Sequence, residues 1–301
     1  LDGIMKHDLK NVTFIIPLQI ETDDRLRNII LTTSFLLNTF DTNVIIKEID
    51  EEPVFRQWAL PAIKRIVGDT SGLNYIFEKH SRDDDAFHRT KVLNDMVMMA
   101  ETEIVVNYDS DIILPVSSYL EAVEKLKTCD VVYPYRFGER GERKVKLDTN
   151  FEHALAIENF EKHPEIKTYI QSGYDERALE GKYFYYPHQQ GEGWAEYGMC
   201  QFFKKEAYIS GGLENEGFIA YAPEDLERHH RWTTLGYDVQ RVDNYAYHFE
   251  HKRTPNSWFN NPHMQRNFEL WEQLKILSKD QLLEYYKNQD YVKERGLCLG
   301  T

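Results

Sequence analysis

Two aspartates, Asp109 and Asp111, stand one residue apart where an apolar run, Ile104-Val105-Val106-Asn107-Tyr108, gives out and Ile112-Ile113-Leu114-Pro115 begins. Paired carboxylates suit Mg²⁺ or Mn²⁺, hard cations that are commonly held by one or two carboxylates with substrate phosphates completing the shell. In open α/β sheets ligands bind outside the carboxyl ends of the strands, which is where this pair would lie. The chemistry implied is cation-assisted handling of a phosphorylated substrate. Asp-x-Asp by itself also occurs in turns and helix caps, so other residues must bear on the choice.

A second acidic pair, Glu224-Asp225, follows Gly211-Gly212-Leu213-Glu214-Asn215-Glu216-Gly217-Phe218 and Tyr221-Ala222-Pro223. It opens a helix expected over Leu226 to Leu235, which Gly236 ends. Carboxylates in a first helical turn stabilise the helix electrostatically. Opposite a metal-bound leaving group, the same residues suit a general base that takes a proton from an attacking hydroxyl. Further on, His248-Phe249-Glu250-His251 follows a strand-like run from Val239 to Tyr247. Two imidazoles at this spacing can reach one point and complete an octahedral site begun by Asp111.

The elements that must position these residues are legible from periodicity. Val12 to Pro17 reads as a buried strand, followed by Leu26, Ile29, Ile30, Thr33, Leu37 and Phe40 on one helical face. Short strands are expected at Val44 to Ile46, Asn74 to Glu78 and Val131 to Tyr133. Leu93, Met96, Val97 and Ala100 stripe one helix, and Tyr119, Val123 and Leu126 another. Strand–helix alternation of this kind predicts an α/β fold with a mostly parallel, Rossmann-like sheet and helices on both faces. Residues 12–136 are expected to form a nucleotide-binding half, 137–182 a charged helical insertion and 183–262 a second core segment, together one domain spanning 1–262. Residues 263–301 form a helical C-terminal tail, with Phe268, Trp271 and Leu274 on one face and a capping box at Ser278-Lys279-Asp280-Gln281.

Composition narrows the partners. A chain of 301 residues with 42% hydrophobic content can bury a large core. A formal net charge of -14 argues against nucleic acid, whose binding needs clustered Lys and Arg. Cys129, Cys200 and Cys298 are odd in number and widely spaced, as expected of reduced thiols rather than a disulfide framework. No apolar run has the length of a membrane span and no signal peptide is visible, so the expected location is cytoplasmic. The chain begins at Leu1, which leaves room for an N-terminal anchor upstream. The sequon Asn11-Val12-Thr13 falls at the mouth of a buried strand and is read as accidental.

Taken in order, these segments resemble GT-A glycosyltransferases, and among them the β-1,4-galactosyltransferase family (family 7) and the family 2 enzymes. Phe87-His88-Arg89-Thr90-Lys91-Val92-Leu93-Asn94, followed by Asp109-Ser110-Asp111, resembles that family's FxRxKxLN block and its DxD motif. Gly211-Gly212, Glu224-Asp225 and His248-Phe249-Glu250-His251 extend the resemblance over roughly residues 12–136 and 183–262.

The resemblance implies a GT-A fold and metal binding, Mn²⁺ with Mg²⁺ as the alternative, by Asp111, His251 and His248. Asp109 would support the donor's ribose or the metal shell. Donor binding would fall to Phe87, Arg89 and Asn94 together with Pro17, Glu21 and Arg25, with Arg27 as an alternative to Arg25. Asp225 would be the catalytic base of an inverting transfer, and Glu224, Tyr221 and Trp194 would meet the acceptor. The family's Trp-Gly-Gly before the acidic pair is here Tyr221-Ala222-Pro223, where the proline removes a backbone donor. The activity implied is hexosyl transfer from a nucleotide-sugar donor, UDP first among the bases, to a glycan hydroxyl. Two other readings stand beside it, a sugar-nucleotide pyrophosphorylase and a non-catalytic nucleotide-sugar or glycan-binding protein.

Overall fold

The computed structural model describes residues 5–81, 86–138, 142–145, 183–184, 196–258 and 260–300. Strand β1 (His7–Leu18) is buried along its last seven residues, as its nearly continuous run of apolar side chains requires of a central strand covered on both faces. It pairs in parallel with β2 (Phe40–Asp50) and with β4 (Ile104–Tyr108), and β2 pairs in parallel with β3 (Leu73–Lys79). Three further strands, β6 (Val131–Tyr133), β9 (Cys200–Lys204) and β10 (Val239–Arg241), complete a seven-stranded sheet of order β10-β6-β9-β4-β1-β2-β3. Only β9 runs antiparallel to its neighbours, between β4 and β6. This mostly parallel α/β sheet agrees with the GT-A architecture expected from the sequence.

Alternate side chains of the sheet feed two cores. Phe14 and Ile16 pack with α1 (Asp23–Thr39), α2 (Leu60–Val67) and α4 (Val116–Lys125). Ile15 points the other way, toward α3 (Arg89–Met99), α5 (Lys205–Ser210) and α6 (Glu224–Leu235). The C-terminal tail folds as α7 (Met264–Leu274), α8 (Lys279–Lys287) and α9 (Asp290–Glu294). It adds Leu274, Leu282, Tyr286, Tyr291 and Val292 to the second core. The expected capping box is present, with the Ser278 side chain accepting from Gln281 N. Gly236, φ 94°, ends α6 in the left-handed conformation that glycine adopts without strain.

A small second sheet, of order β5-β11-β7-β8, adds Ile112, Ile113, Ala246 and Phe249 to the first core. It joins β5 (Ile112–Ile113), β7 (Glu142–Val145), β8 (Tyr183–Phe184) and β11 (Ala246–Phe249). Two expectations change here. The run from Val239 to Tyr247 is two strands, because the chain turns at Asp243-Asn244 and passes from the large sheet to the small one, so His248 lies within β11 rather than after it. Within the segment expected to be a helical insertion, Glu142–Val145 is a strand that satisfies the free edge of β11. Apart from Phe137 and Gly138, the rest of that insertion falls outside the described residues. Among the described residues no helix is long and apolar enough to cross a membrane.

Candidate active site

The Asp109-Ser110-Asp111 turn is shaped from both sides. Tyr108 Oη donates to Ile112 O at 2.8 Å, and Thr32 Oγ1 on α1 donates to Ser110 O at 3.0 Å. Asp109 N donates to Met199 O at 2.9 Å, which ties the turn to the start of β9. The antiparallel pairing of β5 with β11 sets His248 opposite Ile112, and Phe249 N donates to Asp111 O at 2.8 Å. Two short strands therefore carry the histidine segment to the aspartate turn.

Helix α1 holds the rest of that segment in place. Arg27 Nη2 donates to Glu250 O at 2.9 Å and Asn28 Nδ2 to the same oxygen at 3.3 Å. Asp24 Oδ2 accepts from Lys252 N at 2.5 Å. The result is a cluster in which Asp111 Oδ2 lies 3.0 Å from His251 Nε2 and 3.5 Å from His248 Nε2. Ligand atoms of all three residues lie within 4.8 Å of one another. His251 Nδ1 is 2.9 Å from Lys252 O, an acceptor, so Nδ1 is the donor of that pair and Nε2 is the nitrogen turned toward the cluster. Burial works against a charge on Asp111, yet the two imidazoles outweigh it and hold the carboxyl well below the usual range. One carboxylate oxygen and two imidazole nitrogens form a donor set that fits Mn²⁺ or a similar divalent cation and leaves positions for substrate oxygens. Asp109 is not in this cluster, because its Oδ1 accepts from Arg89 Nη2 at 2.6 Å.

The cluster opens on a cleft of about 200 Å³. Its lining includes Pro17, Glu21, Arg25, Phe87, Arg89, Asp109, Asp111, Tyr221, Glu224, Asp225, His248 and His251, so nearly all the residues singled out from the sequence meet in one place. Two do not join them. Asn94 is fully buried behind the cleft, where its amide donates to Glu214 O at 3.0 Å and its Oδ1 accepts from Glu214 N at 2.8 Å. Trp194 lies outside the described residues. Of the two candidate arginines on α1, Arg27 is consumed by the Glu250 carbonyl, whereas Arg25 faces the cleft. The Nε of Arg25 is buried without a hydrogen-bond partner among the described residues.

The acidic pair presents two unlike carboxyl groups. Glu224 is buried, its Oε2 has no hydrogen-bond partner among the described residues, and burial followed by the charge of Asp225 raises its pKa well above the usual carboxylate range. Asp225 is 28% exposed and its Oδ1 accepts from Arg228 Nη2 at 2.5 Å. The chain enters the pair through Ala220, whose φ of 59° is rare for a residue with a Cβ and marks a constrained backbone. On α7, Asn267 holds that approach: its Nδ2 donates to Ile219 O at 2.7 Å and its Oδ1 accepts from Ile219 N at 3.3 Å.

Sequence reading missed Gln19, Arg253, Asn256 and Ser257, which also line the cleft. Asn256 Nδ2 donates to Gln19 Oε1 at 2.8 Å, and its Oδ1 accepts from Phe87 N at 3.1 Å. One amide thus links the end of β1, the entry to α3 and the segment after the histidines. No periodicity or motif marks these polar residues, because their partners are distant in sequence.

No family model matches the sequence, and no curated protein matches it. Solved structures similar to it include two glycosyltransferases. One is a mannosyltransferase from Pyrobaculum calidifontis in complex with GDP-Man and Mn²⁺, with a TM-score of 0.48 and 15% identity over 81% of this chain. This chain covers 58% of that protein's length. The other is the catalytic domain of Drosophila β1,4-galactosyltransferase 7 in complex with xylobiose, with a TM-score of 0.40 and 12% identity over 86% of this chain and 79% of that one.

Proposed function

We propose that this chain is a metal-dependent, inverting glycosyltransferase that moves a hexosyl group from a nucleoside-diphosphate sugar, UDP-linked in the first instance, to a hydroxyl of a glycan acceptor. The observation that carries the reading is the meeting of the Asp111, His248 and His251 cluster with the Glu224-Asp225 pair in a single cleft. A cation-binding set and a candidate general base on facing elements are the two halves that such a displacement needs.

Asp111, His248 and His251 would hold the cation. Bound there, Mn²⁺ supplies Lewis-acid stabilisation of the charge that collects on the departing diphosphate. Arg25, with a guanidinium nitrogen lacking any partner among the described residues, binds the same phosphates electrostatically. Phe87 and Arg89 line the donor side of the cleft, with Arg89 held by Asp109. Asp225 accepts the proton of the acceptor hydroxyl as that oxygen bonds to the anomeric carbon from the face opposite the leaving group. One displacement inverts the configuration. Glu224, kept protonated by burial, donates a hydrogen bond to the acceptor, and Tyr221 offers it a ring face.

Calorimetric titration of UDP and GDP tests the donor side, with Mn²⁺ and with EDTA, on wild type and Asp111→Ala. The expected outcome is binding of one nucleotide that needs Mn²⁺ and is lost in the variant. Folded protein that binds neither nucleotide would sink the proposal. Asp225→Asn tests the chemistry: an enzyme loses turnover and keeps donor binding, whereas a binding protein has no turnover to lose.

A further inference from the structure

Asp225 and its neighbour Glu224 stand in the first turn of α6, where a carboxylate ordinarily swings back to cap the helix's free amide groups. Asp225 does not do so. Its side chain has a single hydrogen-bond partner among the described residues, Arg228 Nη2 on Oδ1, and the partly exposed side chain lines the cleft. Arg228 is itself fully buried and immobilised from behind. Its Nη1 donates to both oxygens of Glu214 at 2.9 Å, and its Nη2 also donates to Tyr197 O at 3.1 Å. Glu214 is held in turn by the Tyr208 hydroxyl and, through its backbone, by Asn94.

The charge of Arg228 is already balanced by Glu214, so Asp225 is a second carboxylate on one planar fork rather than the counter-ion that the buried cation demands. A guanidinium offers its donors in fixed directions, so the rotamer of Asp225 follows from the placement of Arg228. Glu224 receives no such contact from Arg228, and the fork therefore distinguishes the two carboxylates.

The geometry points to Arg228 as a positioning residue. It holds Asp225 Oδ1, turns the carboxylate away from the end of its own helix and aims Oδ2 at the acceptor hydroxyl. This role rests on the transferase reading above, since it gives Asp225 the work of proton acceptor. It also accounts for the buried Asn94, Glu214 and Arg228, which form a chain of contacts from α3 to the base with no direct access to ligand.

The test uses the full chain with Mn²⁺, a panel of UDP- and GDP-hexoses and simple alkyl glycosides as acceptors, reading nucleoside diphosphate release. Arg228→Lys keeps the charge and loses the fork. It is expected to lower kcat by about 100-fold, the scale of a misplaced reacting group, with the donor KM unchanged. In the Asp225→Asn background the same substitution should cost nothing further, because Arg228 acts through Asp225. A merely structural arginine gives losses that multiply instead. A crystal structure of Arg228→Lys is expected to show Asp225 turned onto the amide groups of α6. Finding it in its original rotamer overturns the role whatever the activity. An active wild type whose kcat is unmoved by Arg228→Lys sinks this role alone, whereas a wild type that transfers no sugar sinks the transferase reading and this role with it.

Discussion

Arg25 and Glu224 show how environment assigns work to side chains of ordinary type. Arg25 lines the cleft, and its buried Nε has no hydrogen-bond partner among the described residues, a cost the fold tolerates where an anionic group is to be met. Arg25→Ala is expected to weaken UDP binding by roughly 10-fold or more, the size of one charged hydrogen bond, with Mn²⁺ affinity in the absence of nucleotide unchanged. Calorimetry on both ligands checks it, and an unchanged nucleotide affinity would remove Arg25 from the donor site. Glu224 is the mirror case, a carboxyl whose pKa burial pushes well above the usual range, next to a carboxylate that an arginine holds. Glu224→Gln keeps a hydrogen-bond donor at that place, so it should retain far more turnover than Asp225→Asn. Equal losses from the two substitutions would mean that Glu224 works as a charged group.

The elements around the cleft are joined by side-chain amides that complete backbone hydrogen bonds between segments distant in sequence. Asn94 on α3 serves the Glu214 segment, and Asn267 on α7 serves Ile219. Each amide uses both its ends, so truncation leaves a buried backbone donor and acceptor unsatisfied. Asn267→Ala is expected to cost about 1–3 kcal/mol of stability, and to disturb the strained approach to Glu224 more than the metal cluster. Urea unfolding together with Mn²⁺ titration separates these effects, and a variant as stable as wild type would deny Asn267 that bracing role. The glycine at position 212 belongs to the same scale. Its φ is 92°, and a Cβ there would come within 3.0 Å of Arg231 Nη1 and 3.3 Å of the Tyr286 ring. The turn below the acidic pair thus packs directly on the C-terminal helices.

Across the whole molecule one sheet serves two cores, and its buried charges tie stability to pH. Glu48 on β2 is fully buried, accepting from Phe55 N at 3.1 Å and from Tyr75 Oη at 2.5 Å. Desolvation outweighs these hydrogen bonds and pushes its pKa up to about 7. Because the folded value lies above the unfolded one of 4.5, the protonated group's contribution is complete below pH 4.5 and is lost as pH rises through 7. The loss is on the order of 3 kcal/mol, at about 1.4 kcal/mol per pKa unit. Glu48→Gln should therefore flatten the decline in unfolding free energy between pH 5 and 7, measured by urea titration at each pH. An identical slope in the two proteins would show that Glu48 titrates normally.

The strands and helices were legible because burial leaves a local pattern, a short unbroken apolar run in β4 or a period near four along Leu93, Met96 and Val97. The candidate site was legible to the same degree, since Asp109, Asp111, Glu224, Asp225, His248 and His251 are chemically distinctive residues at strand and helix ends. Their meeting was not, because it depends on β5 pairing with β11 across more than a hundred residues. Periodicity carries no record of such long-range pairing. It assigned His248 to a position beyond the strand that in fact delivers it, and the motif resemblance placed Asn94 at the donor when its partner is the Glu214 backbone. The choice of Arg25 over Arg27 has the same origin. Both are charged residues on one helix, and only the carbonyl of Glu250, brought alongside Arg27 by the fold, decides which of them is left to face the cleft.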